Sequence, residues 1–584
     1  MKKLTRGFSN VAFLLKPQLK YGWLIQIFNL LREAVLSPIA DIAVVTVAEA
    51  VISAVQAGKT FREVLFAAGI RLAICFGATL IGWIGVDFYE RWKHNAVEGE
   101  IERMIYRQAL NIDLKEMDDP KFFDAYKLAT EEFVAKSSNA VYMVSWFIGS
   151  LASIGVMAAV LASSSLLLVA IVVVTTGLNM ATQIYWNAKS GERSKNAVKP
   201  RRKQDYMRRL LFNTGVAADL RATDVTAPLM SMFSSAIADR IANAKKYMSR
   251  EFAVDIFQSL LGSSTTFIIV IYVAWGLMNG RIADIGVFAT MLAAAQTLSG
   301  RLQNLSYVFT QLNEASVYAE QVRSFFDIKS EIEPLTTGAE PPEGAFSVEL
   351  RNVSFAYPNS EFALKDISLK IPPNAKIAIV GENGAGKTTL SKLLLRLYDI
   401  DSGEIFFNNT EIKSYNPHKL RRKIGVAFQT PNMYALTVSG NMQVYNTADA
   451  DVLQAALDAL KLDKALDAEV TREFDENGVM FSGGEAQKLA LARLLTGDFG
   501  LLLLDEPSSA LDPLAEYEMT KLIFEKSRTT AIMVAHRLST IRHADRIYLI
   551  ANGSVAEQGT HEELLALKGK YYEMFTKQAE NYVK

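Results

Sequence analysis

The sequence predicts a multi-domain chain: an all-α membrane domain of six spanning helices over residues 1–325, a linker at 326–344, and an α/β domain over 345–584. Three observations carry that expectation. Apolar runs close to the ~20 residues needed to cross a bilayer recur in the first 320 residues only. Beyond about 325, short β-rich runs alternate with helical ones. Between one such strand and the helix after it lies a glycine-rich phosphate loop.

Composition narrows the function classes. The 584 residues carry 62 basic and 62 acidic side chains, so no bulk charge favours nucleic acid or an acidic partner. Cys75 is the single cysteine, which leaves no disulfide framework and no thiolate metal cluster. The five histidines are scattered without metal-ligand spacing.

The six spans are expected at about 20–50, 65–90, 140–162, 164–187, 252–276 and 283–310. QAGKTF, ASSS and LMNGRIAD are short turns between them, whereas 90–140 and 188–250 are long polar helical extensions. Lys and Arg gather in those extensions, as in KPRRK at 199–203, which assigns them, both termini and the second domain to the cytoplasm of a multi-pass cell-membrane protein. Residues 1–16 combine a basic start with a short apolar core, and read as an amphipathic surface helix rather than a cleaved signal.

SEIEPLTTGAEPPEGA is polar and rich in Pro and Gly, hence the linker. After it FSVELRNVSFAY, AKIAIVG, KIGVAFQ, GLLLLDEP, TTAIMVAH and RIYLIANGSV read as strands of a largely parallel sheet.

The chemistry lies at the ends of those strands. Gly381-Glu382-Asn383-Gly384-Ala385-Gly386-Lys387-Thr388-Thr389 contains G-x-x-x-x-G-K-T. Its glycines let backbone N–H groups wrap phosphates, Lys387 reaches the β/γ-phosphates, and Thr388 is suited to Mg²⁺. LLLLDEP is a buried strand ending in two carboxylates: Asp505 for Mg²⁺ and Glu506 to polarise an attacking water. Gln429 ends another strand, within reach of Mg²⁺ or the water, and His536 follows the next.

Ser482-Gly483-Gly484 opens a further helix as a second anion-binding device. In this order, phosphate loop, glutamine, SGG signature, acidic strand, SALD at 509–512 and histidine closely resemble the ATPase of ABC transporters. With six spans before it, the whole chain resembles an exporter-type half-transporter. The resemblance implies ATP and Mg²⁺ as cofactors, Tyr357 as the aromatic that stacks on adenine, and Asp512 in the nucleotide site. It also implies that 116–129 and 217–233 are the two coupling helices. Two ATPase domains would pair head to tail, so that the signature of one holds the γ-phosphate bound to the other. The working state is then a dimer with an identical or related half.

Phe481, Glu485 and Lys488 stand where Leu, Gln and Arg are commoner in the family, and Thr430 where an acidic residue is frequent. None of these removes a catalytic group. Soluble relatives that act on nucleic acid lack spans, and no basic groove bias points to such a partner. Export of a small amphipathic molecule or peptide is the expected activity. The alternatives are an importer on the same fold, for example for a chelate, and an ATP-gated regulator or channel, against which Glu506 and His536 weigh.

The last expectation concerns the cargo. Gln26, Asn29, Glu33, Ser37 and Asp41 recur at helical spacing on one face of the first span, and Gln296, Ser299, Gln303 and Thr310 form a similar stripe on the sixth. Charged groups inside a bilayer normally face a bundle interior or a wet cavity. The two stripes are therefore expected to line a cargo cavity with an acidic side, unless Glu33 or Asp41 is neutralised by Arg32 or Arg71.

Overall fold

The computed structural model describes residues 2–583 apart from 213, 280–284, 359, 508–512, 527, 536 and 539. It divides into two compact units, Met1–Tyr106 with Ala125–Phe326, and Arg107–Asp124 with Asp327–Lys584.

The first unit is helical. Helix α1 (Lys2–Leu31) passes through a π-turn at Arg32–Leu36 into α2 (Ser37–Gln56). Helix α3 (Phe61–Gly82) passes through a second π-turn, Trp83–Phe88, into α4 (Tyr89–Leu110). A single turn, α5 (Leu114–Met117), precedes the long helices α6 (Pro120–Ser164) and α7 (Leu166–Phe212). The short α8 (Ala217–Ala222) then leads to α9 (Thr226–Met278) and α10 (Ile285–Phe326). Thr60 starts α3 with a capping box, its N–H donating to Glu63 at 2.8 Å.

Among the described residues five stretches are long and apolar enough to cross a membrane: Arg6–Gln56, Phe61–Gly85, Ala125–Ser164, Leu166–Gln183 and Thr226–Met278. The sixth expected span, in α10, falls short on apolarity because it carries Gln296, Arg301 and Gln303. Its apolar side is enclosed instead: Ala294, Ala295 and Val308 are fully buried. The extensions are real helix. At 1.5 Å per residue the 53 residues of α9 run about 80 Å. A hydrocarbon core is about 30 Å thick, so well over half of that helix lies outside it.

The N-terminal residues do form a helix, set off by Pro17 and a non-helical Gly22 (φ −132°, ψ 31°). It does not only lie on a surface. Leu14 is fully buried, its carbonyl accepts from Ser137 Oγ at 2.7 Å, and Phe13 packs edge-on against Phe133 and Phe326. At the first π-turn α6 comes unusually close. A Cβ on Gly149 would lie 2.5 Å from the Glu33 carbonyl oxygen, so only glycine admits this approach.

The second unit holds two sheets. β1 (Val348–Ala356), β2 (Phe362–Ile371), β4 (Ser402–Phe407) and β5 (Thr410–Glu411) form an antiparallel sheet in the order β2-β1-β4-β5. β3 (Lys376–Val380), β6 (Ile424–Ala427), β7 (Leu501–Asp505), β8 (Thr530–Val534), β9 (Arg546–Ala551) and β10 (Ser554–Gly559) form the other, in the order β10-β9-β3-β8-β7-β6. All neighbours from β9 to β6 are parallel. The Leu501–Leu504 run is apolar throughout because both faces of β7 are covered. Leu501 and Leu503 enter one core, Leu502 and Leu504 the other.

Residues 107–124 fold with this unit through Asp113, which is fully buried. Its carboxylate accepts the N–H groups of Glu331 (2.7 Å), Ile332 (3.1 Å) and Glu333 (2.8 Å). The polar stretch expected as a linker is thus pinned at its start. It is pinned again where Ala339 N–H donates to Ser414 O at 2.8 Å.

Candidate nucleotide site

Parallel strands put their C-terminal ends on one edge of a sheet, where ligands of open α/β folds bind. The phosphate loop follows β3, Gln429 follows β6 and Glu506 follows β7, so one edge gathers all three. The loop needs its glycines. Gly381 has φ +153° and Gly386 φ +102°, and an added Cβ would lie 2.1 Å from Ile550 O and 2.6 Å from Ala363 O, respectively. Helix α11 (Lys387–Leu394) starts directly after, so its free N–H groups face the loop.

Lys387 is buried, and its Nζ donates to the carbonyls of Gly381 and Glu382, each at 2.9 Å. Burial lowers the pKa of its amine, and the carboxylates of Glu506 and Asp505 act in the opposite direction. A cation held on the carbonyls of a glycine-rich loop, with two carboxylates beside it, fits a nucleotide polyphosphate and its divalent ion. Thr388 is exposed at the helix start, and Asp505 is buried at the strand end.

Glu506 has φ +48°, a left-handed conformation uncommon for a residue other than Gly, Asn or Asp. Its N–H donates to Val534 O at 3.0 Å, tying the strained turn to β8, and its carboxylate accepts from Gln429 Nε2 at 2.6 Å. Backbone strain of this kind persists where surrounding structure enforces it, commonly at functional sites.

At the other end of the loop Tyr357 pairs its hydroxyl with Thr389 Oγ1 at 3.2 Å. Its ring meets Tyr398 edge to face at 5.4 Å, and Tyr398 donates its phenol to Asp118 at 2.9 Å. Burial is the first cause that pushes the Tyr398 pKa up, with the Asp118 bond second.

Ser482 is the N-cap of α15, which begins at Gly483; helices α12 (Pro417–Arg422), α13 (Val438–Met442) and α14 (Ala450–Ala459) precede it. Its N–H donates to Glu485 Oε2 (2.9 Å) and its Oγ accepts from Glu485 N–H (3.3 Å). None of these bonds reaches residues 381–389. The structure therefore joins Lys387, Gln429, Asp505 and Glu506 in one cluster, and Tyr357 to its edge, but leaves Ser482–Gly484 outside it. His536 and Asp512 lie outside the described residues.

Residues 364–509 match the family model described as ABC transporter. In overall fold the chain is similar to a bacterial Atm1-family ABC exporter solved with ATP bound (TM-score 0.75, 22% identity, 95% of this chain and 98% of that one). Residues 364–509 thus carry an ABC-transporter domain, and the chain as a whole has the fold of an ABC exporter. It is 36% identical over 301 residues to the ATP-dependent lipid A-core flippase of Pseudomonas fluorescens (strain Pf0-1), covering 50% of this chain and 49% of the relative. It is 34% identical over 299 residues to the flippase of the same description from Escherichia coli (strain K12), covering 49% and 50%. The chain thus spans about half the length of the curated relatives it matches.

The site has further side chains that the sequence did not single out. Gln487 on α15 donates to Gln429 O at 3.3 Å, linking the signature helix to the glutamine. Lys464 pairs with Glu485 at 2.8 Å and sits 5.3 Å from the Phe481 ring centre. Two departures from the common signature thus meet one cation, a compensation with no local sequence signal, since Lys464 lies in a different segment.

The expected acidic cargo cavity is corrected. Glu33 pairs with Arg32 at 3.1 Å, and Arg32 also bonds the Tyr142 hydroxyl. Asp41 pairs with Arg301 at 2.8 Å; Arg301 also donates to Ser37 Oγ at 2.7 Å. Arg71 instead donates to Thr46 and Ala67. Gln26 and Asn29 face a narrow gap with Val97 and Ser138 rather than an open space. Charge in a low-dielectric interior is retained by pairing, and both carboxylates are paired. On the sixth helix Gln296 is exposed and Ser299 bonds Thr176 at 3.2 Å, whereas Gln303 and Thr310 do line a groove.

Proposed function

We propose that the chain is one half of a dimeric, ATP-driven pump that exports a small amphipathic molecule or peptide across the cell membrane, with its termini and ATPase domain in the cytoplasm. The observation that carries this reading is the Lys387–Gln429–Glu506 cluster on one sheet edge, in the same chain as bilayer-length helices.

Each residue has a role that follows from its position. Gly381, Gly384 and Gly386 expose the backbone N–H groups that, with Lys387, grip the phosphates; Tyr357 offers its ring to adenine. Glu506 takes up charge from the attacking water, and Gln429 orients that carboxylate. Thr388, Gln429 and Asp505 are the side chains that would hold Mg²⁺, which would supply neutralisation of phosphate charge when bound. Asp512 and His536 complete the reading by resemblance.

Two features support the dimer. Ser482 spends its cap bonds on Glu485 of its own helix and none on residues 381–389, and α8 buries none of its residues within the chain. Both suit a signature and a coupling helix used by a second copy.

The test is ATP turnover and ATP binding by the full chain in proteoliposomes. Ser482→Arg should abolish turnover while nucleotide binding stays near wild type, because the chain's own loop does the binding. Equal loss of both would remove the head-to-tail dimer, and absence of turnover in the wild type would remove the pump.

A further inference from the structure

Within the helical unit, α7, α9 and α10 enclose a groove of about 700 Å³, a volume suited to a drug-sized ligand. Asn179, Gln258, Gln303 and Gln311 contribute side-chain amides to its wall, and Tyr307 a ring. Among the described residues Asp255 is the only charged group in the lining, with no Lys, Arg or His beside it there.

This carboxylate differs from the three acidic groups of the first span. Glu33 and Asp41 have arginine partners, and Glu49 accepts from Thr290 at 2.7 Å. Asp255 forms neither an ion pair nor a hydrogen bond with any described residue. Beside it, the Gln258 amide nitrogen is buried with no hydrogen-bond partner. A buried donor left unsatisfied is costly, so it marks a place suited to an acceptor.

Position along the helices adds a second argument. Asn179 lies late in the fourth span (Leu166–Gln183); Asp255 lies at the start of the expected fifth apolar stretch (252–276), Gln303 near the end of the expected sixth (283–310) and Gln311 just past it. All belong to the ends of their helices that lead into the polar extensions. A ligand arriving from that side meets amides and one carboxylate before it meets hydrocarbon.

We infer that this groove is the cargo-binding site and that it takes an ammonium-bearing, hydrogen-bonding group, such as the free amino end of a short peptide, with Asp255 as its counter-ion and Gln258 as donor to the adjacent carbonyl. The inference rests on the export reading and adds the charge class of the cargo. It also moves the acidic determinant from the first span to the fifth. Asp255 is exposed in the groove and open to such a ligand; an ammonium paired with a carboxylate makes a charge-assisted bond, roughly twice as strong as a neutral one.

Three forms of one apolar tripeptide test it: free amine with amidated end, both ends capped, and acetylated with a free carboxylate. Their binding to the full chain in lipid nanodiscs is measured directly, by calorimetry, so that the reading does not depend on turnover. The free-amine peptide should bind at least tenfold tighter than the other two. Asp255→Asn should remove that preference and Asp255→Glu should keep it, while Gln258→Leu should weaken the free-amine and capped peptides alike. Equal binding of all three forms, no binding of the free amine to wild type, or unchanged preference in Asp255→Asn would overturn the inference. If Asp255→Asn dissociates the dimer and Asp255→Glu restores it without any peptide preference, the groove is a subunit contact and the inference falls. ATP turnover, followed in parallel, reports on the export reading separately: turnover without peptide preference sinks only the cargo class.

Discussion

Gln429 donates its amide to the Glu506 carboxylate across 2.6 Å, joining residues 77 positions apart at the ends of neighbouring strands β6 and β7. The bond holds a carboxylate whose own backbone is left-handed, at φ +48°. A glutamine is a neutral donor, so it fixes the direction of Glu506 without neutralising it, as the proposed role of polarising water requires. The same glutamine is tied through its backbone carbonyl to Gln487 of the signature helix, so movement of that helix reaches the carboxylate through one residue.

Glu506→Gln should bind ATP and fail to turn it over. Its amide keeps the size and the Gln429 contact but cannot take up charge from water. Turnover in proteoliposomes should fall to below about a tenth of wild type with the ATP affinity retained. A rate above that mark would take Glu506 out of its role.

The Tyr398–Asp118 bond predicts a different phenotype, because it joins the 107–124 segment to the aromatic platform rather than to the phosphates. Tyr398→Phe keeps the ring against Tyr357 and removes only the donor. ATP affinity should change less than about threefold, while stimulation of turnover by cargo should fall severalfold, a loss on the order of 1 kcal/mol for one hydrogen bond. Asp118→Asn should behave alike. Loss of ATP affinity with unaltered stimulation would make the bond merely a support for Tyr357.

Lys464 and Glu485 give a pH dependence. The Lys464 side chain and the Ser482 N–H pull the Glu485 carboxyl down from its ordinary 4.5 to about 2. A carboxylate depressed in the fold adds stability that is complete above about pH 4.5 and is lost as pH falls toward 2. Lys464→Met should therefore melt lower near neutrality and lose less on acidification from pH 6 to 3, read by unfolding fluorescence of the full chain. It should also lower turnover, since an uncompensated charge would then stand in the signature. Restoration of turnover by Glu485→Gln in the Lys464→Met background is the discriminating result.

Much of this was legible in the sequence where a local rule applied. The strands containing LLLLD, KIAIV and TAIMV are apolar runs ended by candidate site residues, and each appears in the parallel sheet. Lys387, Gln429 and Glu506 were readable because strand polarity brings strand ends together. The spacing of Glu33 and Asp41 was also readable, but a helical face does not state what opposes it. Arg301 is 260 residues from Asp41, and nothing at that separation marks it as the partner. Asp255 was missed for the complementary reason: it opens a span without a stripe of its own, and its meaning depends on α7 and α10 beside it. Pairing across helices is a tertiary property.

Asp41 and Arg301 provide the last prediction. The guanidinium donates twice to the carboxylate, at 2.8 and 3.0 Å, and once to Ser37 at 2.7 Å, with both charged side chains mostly enclosed. Removing one partner of a buried pair leaves the other charge uncompensated, a loss of about 3–5 kcal/mol, whereas removing both leaves two neutral groups and costs much less. Asp41→Asn alone should thus reduce folded yield and thermal stability sharply, and Arg301→Gln alone should do the same. The double variant should recover most of the loss. A cargo carboxylate would behave oppositely, since Asp41→Asn would then impair transport while the protein stayed folded and Arg301→Gln would give no rescue. Melting temperature and yield of the four proteins of this double-mutant cycle separate the two outcomes.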